Sequence, residues 1–409
     1  MPTYQSQSAG YLAYKVQSAI GTPASGSGAT VLRLAGGQGA RLSKATTESN
    51  EVRRDGMRTR GRHGTQKTNG QWVAEMSIGS HETILEAIMR DTWDASALSL
   101  TQSDFTSLAV SSNVVTLGSG DPRSLGLRVG DVIRFTGMSA TANNSKNVRI
   151  SAITSTTFTS ADTLEDMGAD TTATITRPKK LIQFSAGTQV KRYFTIEEAE
   201  LDIDGSEYMS DFVWGSVRFS MQPNGLFMAD PGGVGTGRFD TLEVTASPLF
   251  TSPTEATAAP LSVVDATVRG GSNDVVDLTS FDLTLDIGPM APDVFGSGAI
   301  RYSPDVFSGQ MAVSMNISAL RKDLAFVNDF VDETVYSLHV LAVENESEPK
   351  DFISIYVGNF TLGGVDKSAL SKEGGPRTQT IAIPAALIGK DNTGTGYDAT
   401  MVKFQSTGV

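Results

Sequence analysis

Two blocks of this sequence occur twice in the same order, and this duplication limits what the chain can fold into. Residues 70–78 read GQWVAEMSI, and residues 309–317 read GQMAVSMNI. Further along, residues 207–213 (EYMSDFV) resemble residues 351–357 (DFISIYV), and each block reaches a glycine, Gly215 or Gly358, before the next strand pattern. Because both pairs keep their order along the chain, the pattern predicts two copies of one fold in tandem.

The residue patterns inside these copies are mostly those of β-strands. Residues 217–221 and 281–285 alternate apolar and polar side chains, and a Pro-Asn-Gly turn follows the first of them. Helical periodicity is confined to residues 82–93, with Ser80 near the predicted N-cap, and to residues 320–331. The sequence therefore predicts a mainly β protein in which each copy carries one flanking helix.

The spacing between the blocks differs in the two copies and predicts an insertion. About 85 extra residues follow the first helix, and their own strand–turn rhythm indicates a small β-barrel module spliced into a loop, where insertion is best tolerated. Residues 247–260 are rich in Ser, Thr, Ala and Pro, as is typical of a linker. The predicted organisation is a first fold over 1–95 and 181–246, an inserted module over 96–180, a linker over 247–260 and a second fold over 261–409.

Composition excludes several classes of protein. The 409 residues include no cysteine, which rules out disulfides, thiolate metal sites and thiol nucleophiles. The formal net charge is −12, so tight wrapping of DNA by cationic side chains is not expected. No run of 18 apolar residues and no signal-like amino terminus is present, which argues against a membrane span.

No residue pattern indicates catalysis, a metal site or a cofactor. The three histidines, His63, His81 and His339, share no ligand or triad spacing and are interpreted as surface or cap residues. Residues 202–207 (DIDGSE) resemble a calcium loop faintly, but the glycine comes two places too early. We therefore predict no enzyme activity and no cofactor.

Acidic residues recur at every second position ahead of each acid–aromatic block. In an extended segment such residues share one side. They are interpreted either as a solvated hairpin end or as an acidic surface that repels nucleic acid and lines a lumen, and they are Glu198, Glu200, Asp202 and Asp204 in the first copy and Glu344 and Glu346 in the second.

A basic segment, residues 44–67, has the opposite character. Its five arginines are Arg53, Arg54, Arg58, Arg60 and Arg62. It lacks the interleaved aromatics on which bases would stack, and the whole chain is acidic. Docking on an acidic neighbouring subunit is the favoured hypothesis, with a solvated loop and a nucleic-acid patch as the alternatives.

With these residues in view, the chain resembles the major tail tube proteins of long-tailed, non-contractile (siphovirus-type) bacteriophages. The resemblance rests on residues 14–23 (YKVQSAIGTP), the long basic loop between strands, the Gly-Gln strand followed by one helix, and residues 219–225 (FSMQPNG). It covers nearly the whole chain outside the insertion. Some members of the family carry two tube folds in tandem, and the internal repeat is similar to that arrangement.

The resemblance implies two packed β-sheets with a flanking helix in each copy, as a β-sandwich or barrel. It further implies trimeric rings of pseudo-sixfold symmetry, or alternatively hexameric rings, that stack into a tube assembled in the host cytoplasm. Long loops at residues 43–69 and 287–308 would reach the adjacent ring, and the inserted module would decorate the exterior. The implied partners are the chain itself, a tape-measure protein, and tail terminator and tail-tip proteins, while DNA passes through the lumen without specific binding.

Two other classes remain open at this point. A host-binding adhesin or tail-fibre-like protein would share the β-rich pattern, and tubes or rings in electron micrographs would distinguish the tail tube from it. An enzyme such as a polysaccharide lyase would need convergent carboxylates and bases, which no local motif provides.

Overall fold

A computed structural model describes residues 4–144, 146–183, 189–243, 248–271, 273–275, 277–295, 301–344, 350–372, 374–391 and 394–409. Within them the chain is mainly β, as predicted, with two α-helices. The elements before the middle of the chain are β1 (Gly10–Val16), β2 (Thr30–Val31), β3 (Leu34–Thr47), β4 (Arg62–Glu75), α1 (Glu82–Met89), β5 (Leu98–Leu100), β6 (Leu108–Ser111), β7 (Val114–Leu117), β8 (Val132–Thr136), β9 (Val148–Ile153), β10 (Thr157–Ser160), β11 (Met167–Asp170), β12 (Thr174–Arg177) and β13 (Lys180–Ile182).

The remaining elements run to the end of the chain. They are β14 (Phe194–Glu200), β15 (Gly205–Met221), β16 (Met228–Glu243), β17 (Ala266–Gly270), β18 (Asn273–Asp274), β19 (Leu278–Asp286), β20 (Ala312–Leu320), α2 (Ala325–Val331), β21 (Tyr336–Val343), β22 (Phe352–Phe360), β23 (Gly364–Lys367), β24 (Thr378–Ile383) and β25 (Val402–Ser406).

The largest sheet, called the long sheet here, contains a continuous run of eight strands. Its order is β3-β4-β16-β15-β19-β20-β24-β23, and every neighbouring pair is antiparallel. Strand β15 is long enough to serve two groups of partners. Its second part, from Ser216 to Met221, pairs with β19, while its first part pairs with β14, which leads on to β1 and β2.

A second sheet, called the C-terminal sheet here, is ordered β13-β25-β22-β21-β17-β18. A third, the middle sheet, is built only from strands β5 to β12, in the order β11-β6-β7-β10-β9-β8-β12-β5. Among the described residues its two end strands, β11 and β5, do not pair with each other, so the sheet is open along that edge.

The hydrophobic core is divided in the same way as the sheets. One cluster spans both parts of the chain outside the middle sheet, from Leu12 to Phe404, and a second cluster draws only on residues between Leu100 and Ile175. An aromatic group lies at the centre of the first cluster, where Trp214 makes edge contacts with Trp72, Phe212 and Tyr14 at centroid distances of 5.2, 5.1 and 5.8 Å. These interlocked rings fix the strands of the long sheet that carry them.

We expect Gly70→Ala to destabilise the protein by about 1–3 kcal/mol, because a methyl group there overpacks this aromatic group. An added Cβ would lie 2.1 Å from Cη2 of the buried Trp72 ring. Chemical denaturation measures the effect. Gly168→Ala is the matched control, since its Cβ would meet nothing within 4 Å in a strand. Equal stability of the two variants would contradict the packing argument.

Both predicted helices form, but each is shorter than its periodicity predicted. Helix α1 ends at Met89 because Arg90 adopts a left-handed conformation (φ 56°), and Glu82 accepts hydrogen bonds from the amides of Gly79 and His81 at its start. Helix α2 begins only at Ala325, and Leu324 and Val331 of the predicted apolar face are exposed.

Candidate functional site

Nothing in the described residues resembles a catalytic or metal centre. His63 is exposed and His81 is the residue before α1, whereas His339 is buried in β21 and is neither a surface nor a cap residue, so the three imidazoles do not converge. Burial lowers the pKa of His81 to about 4, and its Nδ1 lies 2.5 Å from the Ser80 hydroxyl. No group of metal-ligating side chains occurs in the part of the chain that the structure describes, and no helix there is long and apolar enough to span a membrane.

The basic segment is a projecting β-ribbon. Strands β3 and β4 pair as far as Thr47 and Arg62, whereas β16 pairs with β4 only from Thr68 onwards. The prediction of a loop over residues 43–69 is therefore wrong in part: the turn covers only 48–61, and the flanking residues form a two-stranded arm. The five predicted arginines lie in this turn or at its end.

The ribbon tip combines positive charge with exposed apolar side chains. Arg53 pairs with Asp55 at 2.7 Å and Arg58 with Glu48 at 3.7 Å, and the other three arginines are exposed. Val52 and Met57 are 98% and 69% exposed. Docking of this tip on a neighbouring subunit stays a prediction.

The described parts of the second long loop, residues 287–295 and 301–308, lie beside the base of this ribbon. Asp293 pairs with Lys67 at 3.0 Å and accepts a hydrogen bond from the Thr65 hydroxyl. The carbonyl of Arg301 accepts a hydrogen bond from the amide of Gln66. Both long loops therefore project from the same end of the long sheet.

The predicted row of acidic residues is only partly extended. Strand β14 ends at Glu200, and residues 201–204 form the turn to β15, so the prediction of one extended segment through Asp202 and Asp204 is wrong beyond Glu200. Asp202 accepts a hydrogen bond from the amide of Ser6, and Asp204 has a positive φ of 49°. Of the two residues predicted in the second copy, Glu344 accepts a hydrogen bond from the amide of Ala259, and Glu346 lies outside the described residues.

Glu198 and Glu200 lie two and four positions after Ile196, which belongs to the core, so they extend from the same side of β14 as Ile196. They lie close to Glu207 on β15, and burial together with the charges of Glu200 and Glu198 raises the pKa of Glu207. Whether this acidic cluster lines a lumen stays a prediction.

The opposite face of the long sheet, called the open face here, is polar, and most of the charged residues that register places on it are acidic. Arg218 lies across from Asp230 in the register, and it forms an ion pair with Asp282 at 2.6 Å. Register places further acidic residues on the same face, which are Glu75, Asp286 and Asp366. Burial raises the pKa of Asp230, the Asp282 charge adds to the rise, and Arg218 opposes it.

The eight-strand run ends in two free edges in the part of the chain that is described. Strand β3 pairs only with β4, and β23 pairs only with β24. Unpaired edges of this kind are hazardous in a monomer and invite pairing with another chain.

A buried ionic network joins the middle sheet to the C-terminal sheet. Lys403, 1% exposed, donates hydrogen bonds to Asp131 at 2.8 Å and to Asp398 at 2.7 Å. Lys180 pairs with Asp398 at 2.7 Å, and Arg177 with Asp131 at 3.5 Å. The middle sheet is therefore fixed to the body of the protein by charge as well as by strand connections.

The pKa values in this network reflect the mutual neutralisation. Burial alone would raise the pKa of Asp131, but the charges of Lys180, Lys403 and Arg177 outweigh it and hold the pKa below its ordinary value. Burial likewise opposes the charge of Lys403, yet Asp131 and Asp398 raise its pKa above the usual range.

Sequence reasoning found the basic segment but missed this network and the open face. The network joins residues more than 200 positions apart, such as Asp131 and Lys403, and no local pattern links them. The open face had a usable signal, because strand alternation already separates Arg218 and Ser220 from the core residues beside them.

Projecting loops, free strand edges and a polar open face together define a β protein built for assembly. The sequence profile of the phage tail tube protein family matches residues 7–392, and the chain belongs to this family. A comparison with the curated proteins gives no match.

Membership of the phage tail tube protein family establishes the general function. The chain is a structural subunit of a phage tail tube and a component of the virion tail, and it assembles with itself and with other tail proteins. The family is not enzymatic, which agrees with the predicted lack of catalysis, and nothing favours the adhesin alternative.

Proposed function

We propose that three chains close into a ring of six similar folds and that stacked rings form a tube whose lumen conducts DNA during ejection from a siphovirus-type particle. The observation that carries this proposal is the strand order of the long sheet, in which one four-strand pattern occurs twice. The tape-measure, terminator and tip proteins remain the expected partners, and assembly is expected in the host cytoplasm.

The tandem arrangement is supported by the pairing pattern. In the order β3-β4-β16-β15, the hairpin β3-β4 is extended first by β16 and then by β15, which precedes β16 in the chain. The order β19-β20-β24-β23 repeats this pattern, because the hairpin β19-β20 is extended first by β24 and then by β23. The strands β1-β14-β15-β16 likewise correspond to β17-β21-β22-β25. Two sheets repeating in the same order are difficult to explain without duplication.

Ring closure follows from the way in which the two copies are joined. Within the chain, the last strand of the first pattern pairs with the first strand of the second, as Ser216 to Asp286 and Met221 to Phe281. The same rule pairs the free edge β23 of one chain with the free edge β3 of the next. Such heterologous contacts generate a closed ring, in which neither β3 nor β23 keeps an unpaired edge.

The open face would then line the lumen. Its excess of acidic residues repels phosphate, so DNA passes without being held. This assignment places Asp230, Asp282 and Asp286 in the lumen, whereas Glu198 and Glu200 extend from the other side of the sheet. The middle sheet, proposed as the inserted module of residues 96–180, would lie outside, against the C-terminal sheet.

The ribbon would contact the adjoining ring. It projects from one end of the long sheet, and acidic residues cluster near the other end, around α2, where Asp323, Asp332 and Glu333 lie. Opposite charges at the two ends favour head-to-tail stacking.

Negative-stain electron microscopy of the purified chain tests the proposal. We expect rings or tubes with a central channel at high protein concentration. A monodisperse monomer that never forms either, under conditions in which it stays folded, would contradict it.

A further inference from the structure

Phe295 is the most exposed large apolar side chain in the described residues, at 102%. It lies in the second long loop, beside an open cleft whose lining includes Lys44, Arg62 and Arg301. An aromatic ring held in water among cations contributes nothing to the stability of a single chain. Aromatic residues and arginine are, by contrast, both enriched in protein interfaces.

An apolar groove of about 350 Å³ lies at the opposite end of the long sheet. It opens between the start of β19 and the start of β17, and its lining includes Met221, Pro223, Val268, Leu278 and Phe281. The volume is sufficient for one aromatic side chain.

The surroundings of the groove are acidic and apolar. Asp265 and Asp277 are the sequence neighbours of the lining residues Ala266 and Leu278, and the largely exposed Val264 precedes Asp265. The charge at the groove is therefore opposite in sign to the charge around Phe295, as expected of two surfaces that bind each other.

Strand β19 connects the two features. Its first residues line the groove, and its last residue, Asp286, leads into the loop that carries Phe295. Its nine residues span about 30 Å at roughly 3.3 Å each. The Phe295 side chain therefore cannot reach the groove of its own chain through a local turn. A translation along the strand instead brings the loop of one copy to the groove of the next.

We propose that Phe295 of one chain inserts into the groove between β17 and β19 of a second copy in the adjoining ring. This contact is heterologous and does not close, so it propagates along the tube axis. The inference rests on the proposed stacking of rings and adds to it a specific anchor and its receptor.

Disulfide trapping tests the contact directly, because the chain has no cysteine of its own. The double variant Val294→Cys/Thr279→Cys keeps the Phe295 ring and places one thiol beside it on the loop and one in the groove lining. Their Cα atoms must approach within about 7 Å to form a disulfide. We expect mild oxidation of assembled tubes to give a ladder of covalent multimers on a non-reducing gel.

The control variant Val294→Cys/Ser112→Cys carries its second thiol on an exposed turn of the middle sheet, and it should give no ladder. Tubes of the double variant that form normally but yield no ladder would overturn the inference while leaving the proposed function intact. A parent chain that never forms tubes would overturn both.

Truncation of the Phe295 side chain gives an independent readout. We expect Phe295→Ala to reduce tube elongation about tenfold or more, as loss of an interface anchor does, with the melting temperature unchanged. Phe295→Leu should restore most of the elongation. Tyr4→Ala, which removes an exposed aromatic elsewhere, is the matched control. Normal elongation of Phe295→Ala would contradict the anchor.

Discussion

Asp131→Asn will lower the free energy of unfolding by about 3–5 kcal/mol, since it leaves buried cations without their counter-charge. Asp131 is fully buried and contacts Lys403, Lys180 and Arg177 at 2.8, 3.7 and 3.5 Å. Asparagine preserves the shape and removes only the charge. Equilibrium denaturation measures the loss.

Asp121→Asn is the matched control, because its pair with Arg123 lies near the surface. That variant should have the same free energy of unfolding as the parent. A loss below about 1 kcal/mol for Asp131→Asn would show that the network is not a major stabilising element.

The network also gives the protein a specific response to acid. The pKa values of Asp131 and Asp398 are lowered in the folded state, so their contribution to stability is complete above the unfolded value near 4. It is lost as the pH falls through the folded values. We therefore expect the stability difference between the parent and Asp131→Asn to shrink below about pH 4, as thermal unfolding across pH can measure.

Reversal of two ribbon charges, Arg58→Glu with Arg60→Glu, will leave the protomer folded but slow tube elongation about tenfold or more. One exposed ion pair contributes only about 0–1 kcal/mol, but several ribbons act together in each ring. Like charges would then face each other across the ring contact. Light scattering during assembly, with circular dichroism as the check on folding, measures both outcomes.

The control is Lys146→Glu with Lys179→Glu, which makes the same change in net charge at partly exposed positions in and beside the middle sheet, outside both the ribbon and the region around α2. Elongation of the parent chain should also slow as the salt concentration rises, because exposed charges more than about 8–10 Å apart are already largely screened at physiological ionic strength and added salt shortens this distance. If the ribbon variant elongates as the control does, the arginines are only a solvated surface.

Strand content and strand positions could be predicted from the sequence because alternation is local. Residues 217–221 and 281–285 lie in β15 and β19 as predicted, and the turn after β15 has its expected hydrogen bond from Gly225 to Gln222. The class of the protein likewise followed from patterns that the family profile confirms.

Features that depend on distant residues could not be predicted. The length of the ribbon depends on where β16 leaves β4, which is set by the tertiary sheet and not by residues 44–67. Strand β14 ends at Glu200 because a turn follows it, and the acidic residues continue at every second position through this turn, so their spacing does not reveal it. The groove that we assign to Phe295 is formed by segments on three separate strands, and no sequence window contains it.

A cryo-electron microscopy reconstruction of the assembled tube tests the central claim most directly. The account predicts three chains in each ring, with β23 of one chain hydrogen-bonded to β3 of the next and with the two halves of each chain occupying equivalent positions. A ring of six chains, or a ring in which β3 and β23 remain unpaired, would contradict it.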